Sequence, residues 1–167
     1  MDLSISIDKS GAILEGKGPA IIQAGLDRLI DMIVQFLTVE VKKRTPQGAS
    51  PPGSGLFYTI HGDVQGKGTP MIKGVIASGN PQYAEVIEKG RTAGKAMPPD
   101  GVLVRWLEVK LGLDETTAKR IEFVVRRKIG QKGFPGRHMF EYAVSQNLGQ
   151  IDSMAEAQGF KIATELA

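Results

Sequence analysis

Residues 19–44 read PAIIQAGLDRLIDMIVQFLTVEVKKR, a long stretch with no further proline after the first position. Pro19 suits the start of a helix, where its missing N–H costs nothing. Apolar side chains then recur at i, i+3 and i+4 spacing, which predicts a helix with one buried face. That face consists of Ile22, Leu26, Leu29, Ile33, Phe36 and Leu37. At 1.5 Å per residue the helix would be about 39 Å long, so it must lie across a sheet or project towards a neighbour.

Strand signals flank this helix on both sides. Leu3, Ile5 and Ile7 alternate with polar residues, which predicts a short strand. Residues 57–61 and 71–78 are rich in β-branched and aromatic side chains and are separated by a turn segment, so an antiparallel hairpin is predicted. The stretch that follows, residues 82–89, would fit one helical turn and then a strand, but its local pattern does not decide the matter.

Three helices are predicted in the second half of the chain: 101–111, 115–129 and one that begins near residue 137. An aspartate precedes each of the first two and a glycine follows it, which is typical of a capped start and a glycine stop. These residues are Asp100 and Gly112 for the first helix, and Asp114 and Gly130 for the second. The predicted buried faces are Leu103, Trp106, Leu107 and Leu111; Ala118, Ile121, Val125 and Ile129; and Phe140, Val144, Leu148 and Ile151.

Together these elements predict an α+β fold, in which a small antiparallel sheet is packed by the long N-terminal helix and two to three C-terminal helices. Glycine and proline, 21 and 9 of the 167 residues, are concentrated in four segments, which predicts four long loops. These segments are residues 45–55, 62–70, 90–101 and 130–136. A single domain is expected over residues 1–145. Residues 146–167 are expected to form a helical or partly disordered tail, because Gly149 and Gly159 weaken the last helix.

The composition excludes several classes of function. The chain has no cysteine, so disulfides, thiolate nucleophiles and cysteine-ligated metal centres are impossible. No run of 18 apolar residues is present, so no membrane-spanning helix is expected. The first residues lack the basic start and apolar core of a signal peptide, so we expect assembly in the cytoplasm.

Charge is distributed unevenly along the chain, whose net charge is +3. Residues 1–40 carry six acids and three bases, residues 41–110 five acids and ten bases, and residues 111–167 seven acids and eight bases. Two basic clusters fall at predicted helix ends: Lys42, Lys43 and Arg44, and Arg126, Arg127 and Lys128. They fit two interpretations: a surface that meets phosphate or an acidic partner, or cations that the helix dipole favours near a C-terminus.

No arrangement of residues predicts an enzyme. Residues 11–18 have the spacing of a phosphate-binding loop, but Gly18 and Pro19 follow its lysine, where a hydroxyl and then a backbone N–H would be needed. His61 and His138 belong to no paired metal-binding motif. We therefore expect no catalytic residue, no metal and no cofactor.

Four short motifs follow one another in an informative order. They are Thr45-Pro46 followed by Gly55-Leu56; Tyr83-Ala84 followed by Glu88 and Gly90; Met97-Pro98-Pro99 followed by Trp106; and residues 133–140 (Gly133, Pro135, Arg137 and Phe140 among them) followed by Ala143. Over about residues 20–145, this order resembles the tail-completion, or head–tail joining, proteins of tailed bacteriophages. The sequence departs from the family pattern at the expanded segment 46–55 and at His138, where the family often has proline.

The resemblance implies a structural protein of the virion neck that is assembled in the host cytoplasm. Proteins of this family form rings, often hexameric, that complete the tail or seal its joint with the head, and they are neither enzymes nor cofactor-binding proteins. The implied partners are further copies of the chain, a portal-adaptor or connector protein on one side, and a tail-terminator or tail-tube protein on the other. Non-specific contact with DNA in the channel is also implied, and contact with a membrane is not. The acidic first 40 residues and the basic middle of the chain would supply complementary faces for the ring.

The motif residues also have purely structural interpretations. Tyr83, Ala84 and Trp106 are expected to pack in the core. Glu88 fits a solvated strand end or a pair between subunits, and Arg137 fits a contact with a neighbouring carboxylate or with DNA. Two other functions stay open, a basic nucleic-acid-binding module and a contractile-tail morphogenesis factor. An aromatic content of 6% and a modest net charge disfavour the first of these.

Overall fold

The computed structural model describes residues 11–13, 15–49 and 53–167. The strand predicted at residues 3–7 and the middle of the 45–55 loop lie outside the described residues. In chain order the elements are α1 (Gly18–Arg44), α2 (Leu56–Thr59), β1 (Ile60–Gln65), β2 (Lys73–Ser78), α3 (Pro81–Lys89), β3 (Gly90–Arg91), α4 (Val104–Leu111), α5 (Glu115–Lys132), β4 (Phe134–Pro135), α6 (Met139–Ser145) and α7 (Leu148–Leu166). The strands form two two-stranded sheets, β1 with β2 and β3 with β4. The predicted α+β class with a long N-terminal helix is confirmed.

The chain divides into two compact units. The first comprises Met1–Phe36, Gly62–Val75 and Asn147–Ala167, and the second comprises Leu37–His61 and Ile76–Gln146. Helix α6 ends at Ser145 and α7 begins at Leu148. The single domain expected over residues 1–145 stays a prediction.

Helix α1 begins and ends within one residue of its prediction, and four of the six residues of its predicted buried face are buried or half-buried. Ile22 and Leu26, both from the predicted face, are exposed. In the first unit, α7 approaches α1 at Gly25, where an added Cβ would collide with the side chain of Ile162. A glycine leaves no apolar signal in the sequence, so periodicity alone did not reveal this side. The buried apolar residues of α1 are Val34, Leu37 and Val41.

Polar contacts hold other segments of the first unit on α1. Arg28 donates to both carboxylate oxygens of Glu165 on α7, each at 3.0 Å. The remaining contacts join the β1–β2 connection to α1: Lys67 Nζ to Asp31 at 2.6 Å, and the Gly68 N–H to Asp27 at 2.9 Å. The acids on this part of α1 are therefore paired within the chain.

The single last helix expected from the sequence is two helices. The first, α6, ends at Ser145, and α7 begins at Leu148. Gly149 and Gly159 lie inside α7, which is continuous to Leu166, so of the two forms expected for residues 146–167 the structure shows the helical one. Nothing in the described part of the chain lies within 4 Å of a Cβ built on either glycine.

The core of the second unit brings together residues that are distant in the sequence. Its buried members are Val41, Leu56, Ile60, Ala84, Met139 and Ala143, and Ile76, Ile87 and Phe140 pack against them. They come from α1, the α2–β1 segment, β2, α3 and α6. A core of this kind requires α3 and α6 to be held side by side.

The strand predicted over residues 57–61 is mostly a helical turn. Residues 56–59 form α2, and the strand begins only at Ile60. The N–H of Tyr58 donates to the Gly55 carbonyl at 3.2 Å, and the Thr59 hydroxyl donates to the Leu56 carbonyl at 2.8 Å. One helical turn places Leu56 and Ile60 on the same side, and both are buried. Tertiary burial thus overrides the β-propensity of this segment.

A side chain from another helix caps the start of α4. The buried carboxylate of Glu122, on α5, accepts the N–H groups of Gly101 at 3.1 Å and Leu103 at 2.9 Å. The predicted cap, Asp100, pairs instead with Arg126, and α4 begins three residues later than predicted. An acid inside an apolar stripe is the sequence signal for such a buried carboxylate, because a buried charge needs hydrogen-bond partners.

The predicted limits of the other helix ends are partly correct. Gly112 ends α4 in the left-handed conformation, with φ of 65°. Asp114 caps α5 by accepting the N–H of Thr117 at 3.0 Å. However, Gly130 does not end α5, because it is buried inside the helix and Gly133 ends it instead.

The predicted buried faces of these helices are confirmed only in part. On α5, Ala118 is fully buried and the other three residues of its stripe are half-buried. On α4, Leu107 is fully buried. The predicted face residues that are exposed instead are Trp106, Leu111, Val144 and Leu148.

The two environments of glycine on α1 and α7 predict opposite effects on stability. Gly159→Ala should raise the free energy of unfolding by about 1 kcal/mol, because the new methyl group meets open space and alanine is the better helix former. Gly25→Ala should lower it by about 1–3 kcal/mol, because Ile162 is stiff and the helices must separate. Urea denaturation followed by circular dichroism measures both. A stabilising Gly25→Ala would contradict the close approach of α1 and α7.

Candidate functional site

Two of the sequence motifs lie directly against each other in the second unit. We call residues 83–90 and 133–140 the motif junction. Strands β3 and β4 pair antiparallel, with Gly90 opposite Pro135 and Arg91 opposite Phe134. Beyond the strands, the N–H of Arg137 donates to the Ile87 carbonyl at 2.8 Å, and that of His138 donates to the Glu88 carbonyl at 3.1 Å. Neither of these strands was predictable from the sequence, because two residues carry no periodicity.

Glycines permit this close approach of backbones. Gly90 has φ of 77° and Gly133 has φ of 64°, a region that favours glycine. A Cβ on Gly90 would collide with the backbone of Phe134 and Gly136, and one on Gly133 would collide with the carbonyl of Arg91. The glycines of both motifs are therefore explained by packing.

Glu88 joins the two motifs through its side chain. One carboxylate oxygen accepts the N–H of Phe140 and the other accepts the N–H of Glu141, both at 3.0 Å. These N–H groups lie in the first turn of α6, where the helix itself offers no acceptor. Glu88 therefore lies near the end of a helix, not of a strand, and caps α6 within the chain, while the predicted pair between subunits stays a prediction.

His138 departs from the family pattern in a way that the backbone explains. Its φ is 49° and its ψ is 40°, and its N–H donates to the Glu88 carbonyl. Proline fixes φ near −65° and has no N–H, so it cannot occupy this position in the same conformation. The imidazole Nδ1 lies 2.8 Å from Glu141, and its ring lies against Tyr142 with centroids 5.2 Å apart. A proline at position 138 would therefore require a different backbone at the entry to α6.

Several motif residues meet in the core beside the junction. Leu56, Ala84 and Ala143 are buried there, which confirms the expectation for Ala84. The hydroxyl of Thr45 donates to the Val41 carbonyl at 2.7 Å. The same hydroxyl oxygen lies 3.4 Å from the sulfur of Met139. The end of α1 is thereby fixed to the start of α6. The neighbouring motif residues Pro46, Gly55 and Phe140 are half-buried.

Two aromatic residues of the motifs, Tyr83 and Trp106, are at the surface, so their predicted place in the core is wrong. Tyr83 is 49% exposed and Trp106 is 41% exposed. Tyr83 directly precedes buried Ala84, and Trp106 directly precedes buried Leu107; neighbouring positions on a helix point about 100° apart. The short helices bury one narrow side each. The exposed motif residues also include Pro99, Pro135 and Arg137, whereas Pro98 is half-buried.

The first basic cluster is largely neutralised within the chain. Glu40 accepts from Lys43 at 2.6 Å and from Arg44 at 2.5 Å, and Arg44 also donates to Gln146 at 2.9 Å. The hydrogen bonds from Lys43 and then Arg44 lower the pKa of the Glu40 carboxyl from its ordinary value of 4.5. Lys42 lies over a ring, 5.7 Å from its centroid. The ring belongs to Phe57. An open hollow of about 580 Å³ lies at the same place and is lined by Val39, Lys42, Lys43, Thr45, Gln47 and Phe57.

The second basic cluster divides into an internal and an external part. Arg126 Nε donates to the Pro98 carbonyl at 2.7 Å, and its guanidinium pairs with Asp100. Arg127 and Lys128 are exposed and have no partner among the described residues. Only these two retain the expected freedom to meet another molecule.

The sequence suggested that an acidic face from the first 40 residues would meet a basic face from the middle of the chain. In the described part of these 40 residues, however, every acid is paired within the chain. Glu15 pairs with Lys17, and the three acids of α1 are bound as described above. Their charge is used inside the chain. Charge along the sequence therefore does not translate into an acidic surface.

No constellation suited to a metal is present in residues 11–13, 15–49 and 53–167, where no three His, Asp or Glu side chains converge. His61 is exposed, and its Nδ1 contacts the Thr59 carbonyl at 3.0 Å. None of the helices that the structure describes is both long and apolar enough to cross a bilayer.

Comparison with family models, with curated proteins and with solved structures yields no match. The resemblance to phage neck proteins therefore rests on the sequence motifs themselves.

Removing the Glu88 carboxylate should weaken the motif junction. Glu88→Ala leaves two N–H groups of α6 without an acceptor, so we expect the free energy of unfolding to fall by about 1.5–3 kcal/mol. Glu88→Gln retains one acceptor and should lose less. Chemical denaturation measures both, with Glu85→Ala on the exposed side of α3 as the matched control. Equal stability of the Glu88 and Glu85 variants would contradict the capping role.

Glu40 should make stability depend on pH in the acid range. Because its folded-state pKa is lowered, its contribution is complete above about pH 4.5 and is lost as the pH falls through the lowered pKa. We expect Glu40→Gln to be less stable than the parent at pH 7 and equally stable near pH 2. Thermal unfolding from pH 2 to pH 7 tests this, and parallel curves for the two proteins would contradict it.

Proposed function

We propose that this chain is a structural virion protein of the phage neck, which forms a ring that completes the tail and joins it to the head connector. The observation that carries the proposal is the motif junction, where two of the four motifs dock on each other. Glu88 and Gly90 from one motif and Gly133 and Phe140 from the other all take part in it. Residues that the resemblance selected from the sequence thus have one shared structural role.

The surface supports a role in association rather than in chemistry. Tyr58, Tyr83, Trp106, Phe123, Tyr142 and Phe160 are all at least two-fifths exposed. Aromatic side chains are enriched where proteins bind one another and are unfavourable in contact with water. In this proposal the motif junction is a scaffold, and the exposed aromatics and the long loops make the contacts.

The proposed partners follow from the place in the neck. Further copies of the chain would form the ring, with a hexamer expected. A portal-adaptor or connector protein would bind on one side and a tail-terminator or tail-tube protein on the other, in the virion after assembly in the host cytoplasm. The protein would need neither catalytic residues nor a cofactor. A contractile-tail morphogenesis factor is a close variant of the same proposal.

A basic nucleic-acid-binding module is the second candidate. Exposed Arg127 and Lys128 favour it. Against it, three other cluster residues, Lys43, Arg44 and Arg126, already bind carboxylates within the chain. In the neck proposal the same free cations would face DNA or a protein neighbour.

The ring proposal predicts a discrete oligomer that binds tails. Native mass spectrometry and negative-stain microscopy of the full chain, alone and mixed with purified tail tubes, should show a closed ring and density at one tube end. Filter binding to duplex DNA over a salt series separates the second candidate. A chain that stays monomeric, never binds tubes and binds DNA at micromolar concentration would overturn the neck proposal.

A further inference from the structure

Two acids of α7 are exceptional among the carboxylates that the structure describes. Within residues 11–13, 15–49 and 53–167, Asp152 and Glu156 have no hydrogen-bond or ion-pair partner, whereas every other aspartate and glutamate there accepts at least one hydrogen bond. The two are exposed and lie one helical turn apart, so they are neighbours on one side of α7.

Apolar side chains extend the row that these acids form. Leu148 lies four residues before Asp152, and Phe160 lies four residues after Glu156. Leu148 is 54% exposed and Phe160 is 76% exposed. We call this row, residues 148, 152, 156 and 160, the acidic face of α7. An exposed phenylalanine beside two unpaired carboxylates favours a partner that is both apolar and cationic.

Helix α5 has an exposed face that is both apolar and cationic. Phe123 is 53% exposed and Val124 is 62% exposed. Arg120, Arg127 and Lys128 surround them at helical spacing, are exposed, and have no partner among the described residues. We call these five residues the basic face of α5. The acids of α5 are engaged elsewhere: Glu115 pairs with Lys119, and Glu122 is buried.

We propose that the basic face of α5 in one copy of the chain binds the acidic face of α7 in the next copy. The proposal rests on the ring function, for which it supplies the contact between subunits. Each face offers what the other lacks: unpaired charge of opposite sign beside exposed apolar side chains. Because two different faces meet, the contact is heterologous, and repetition of it generates a ring or a filament rather than a closed dimer.

A nucleic acid fits the basic face less well. The phosphate groups of duplex DNA would bind Arg120, Arg127 and Lys128, but its paired bases are not free to stack on Phe123, and Val124 would stay in contact with polar backbone and water. A second copy of the chain covers the apolar residues and neutralises the cations in the same contact. The apolar pair thus decides between the two classes of partner.

Charge exchange tests this interface in the full-length protein. Arg120→Glu with Arg127→Glu should weaken self-association at least about 100-fold, because like charges then face each other. Asp152→Lys with Glu156→Lys should weaken it similarly. The protein with all four substitutions should recover association to within about tenfold of the parent, because the pairing is restored with reversed sign. Sedimentation equilibrium measures each dissociation constant.

A matched control changes the same amount of charge elsewhere. Lys73→Glu with Lys110→Glu reverses two exposed lysines that also have no described partner, and should leave association within about threefold of the parent. Unfolding midpoints confirm that all variants are folded. Loss of association in the control to the same extent, or failure of the four-fold variant to recover, would overturn the interface.

Cross-linking tests the pairing directly, because the chain has no cysteine of its own. Single variants Val124→Cys and Glu156→Cys, mixed and oxidised, should give disulfide-linked heterodimers, whereas each variant alone should give far fewer. Equal cross-linking of each alone would overturn the heterologous contact.

The outcomes separate this inference from the neck function. If the α5 and α7 substitutions change neither ring formation nor tube binding, the proposed interface is wrong and the neck function is unaffected. If the α5 substitutions abolish DNA binding without changing the oligomer, the face belongs to a nucleic acid and the inference is wrong. A protein that neither self-associates nor binds tubes overturns both.

Discussion

The carboxylate of Glu88 is the contact on which the second unit depends. It joins α3 to the first turn of α6 across 52 residues of sequence, and it does so with both oxygens. Without it, α6 would begin with unsatisfied N–H groups next to an apolar core. The pairing of β3 with β4 and the glycines on both strands bring the two segments close enough for this bond to form. Burial of Met139 and Ala143 then follows from the position of α6.

Most of the other acids are also used inside the chain. Glu122 caps α4 from α5, Asp114 caps its own helix, and Glu40 neutralises two of the three cations in the first basic cluster. A chain with a net charge of +3 and a charge gradient along its sequence thus exposes much less unpaired charge than its composition suggests. The unpaired charges that remain on α5 and α7 stand beside exposed apolar side chains, which connects them to association rather than to solubility alone.

The elements that the sequence predicted well are those with local causes. Helix α1 has proline at its start and no breaker before its end, Gly112 supplies a left-handed stop, and Asp114 reaches an N–H within its own first turn. The elements that it predicted poorly depend on distant partners. Asp100 looked like a cap, but Glu122 took that role, because a buried carboxylate gains more from two N–H donors than a solvated one does.

In the candidate site, too, the sequence selected some residues, whereas their partners became visible only in the tertiary structure. The resemblance of the motif order to phage neck proteins selected Glu88, Gly90, Gly133 and Ala84, since short motifs along the chain are visible in a sequence. That Glu88 caps α6, that Trp106 faces solvent, and that Asp152 and Glu156 stay unpaired were decided by tertiary structure. The reason is physical: a side chain's type limits the bonds that it can make, but only the approach of distant segments determines which partner satisfies it and which charge is left over.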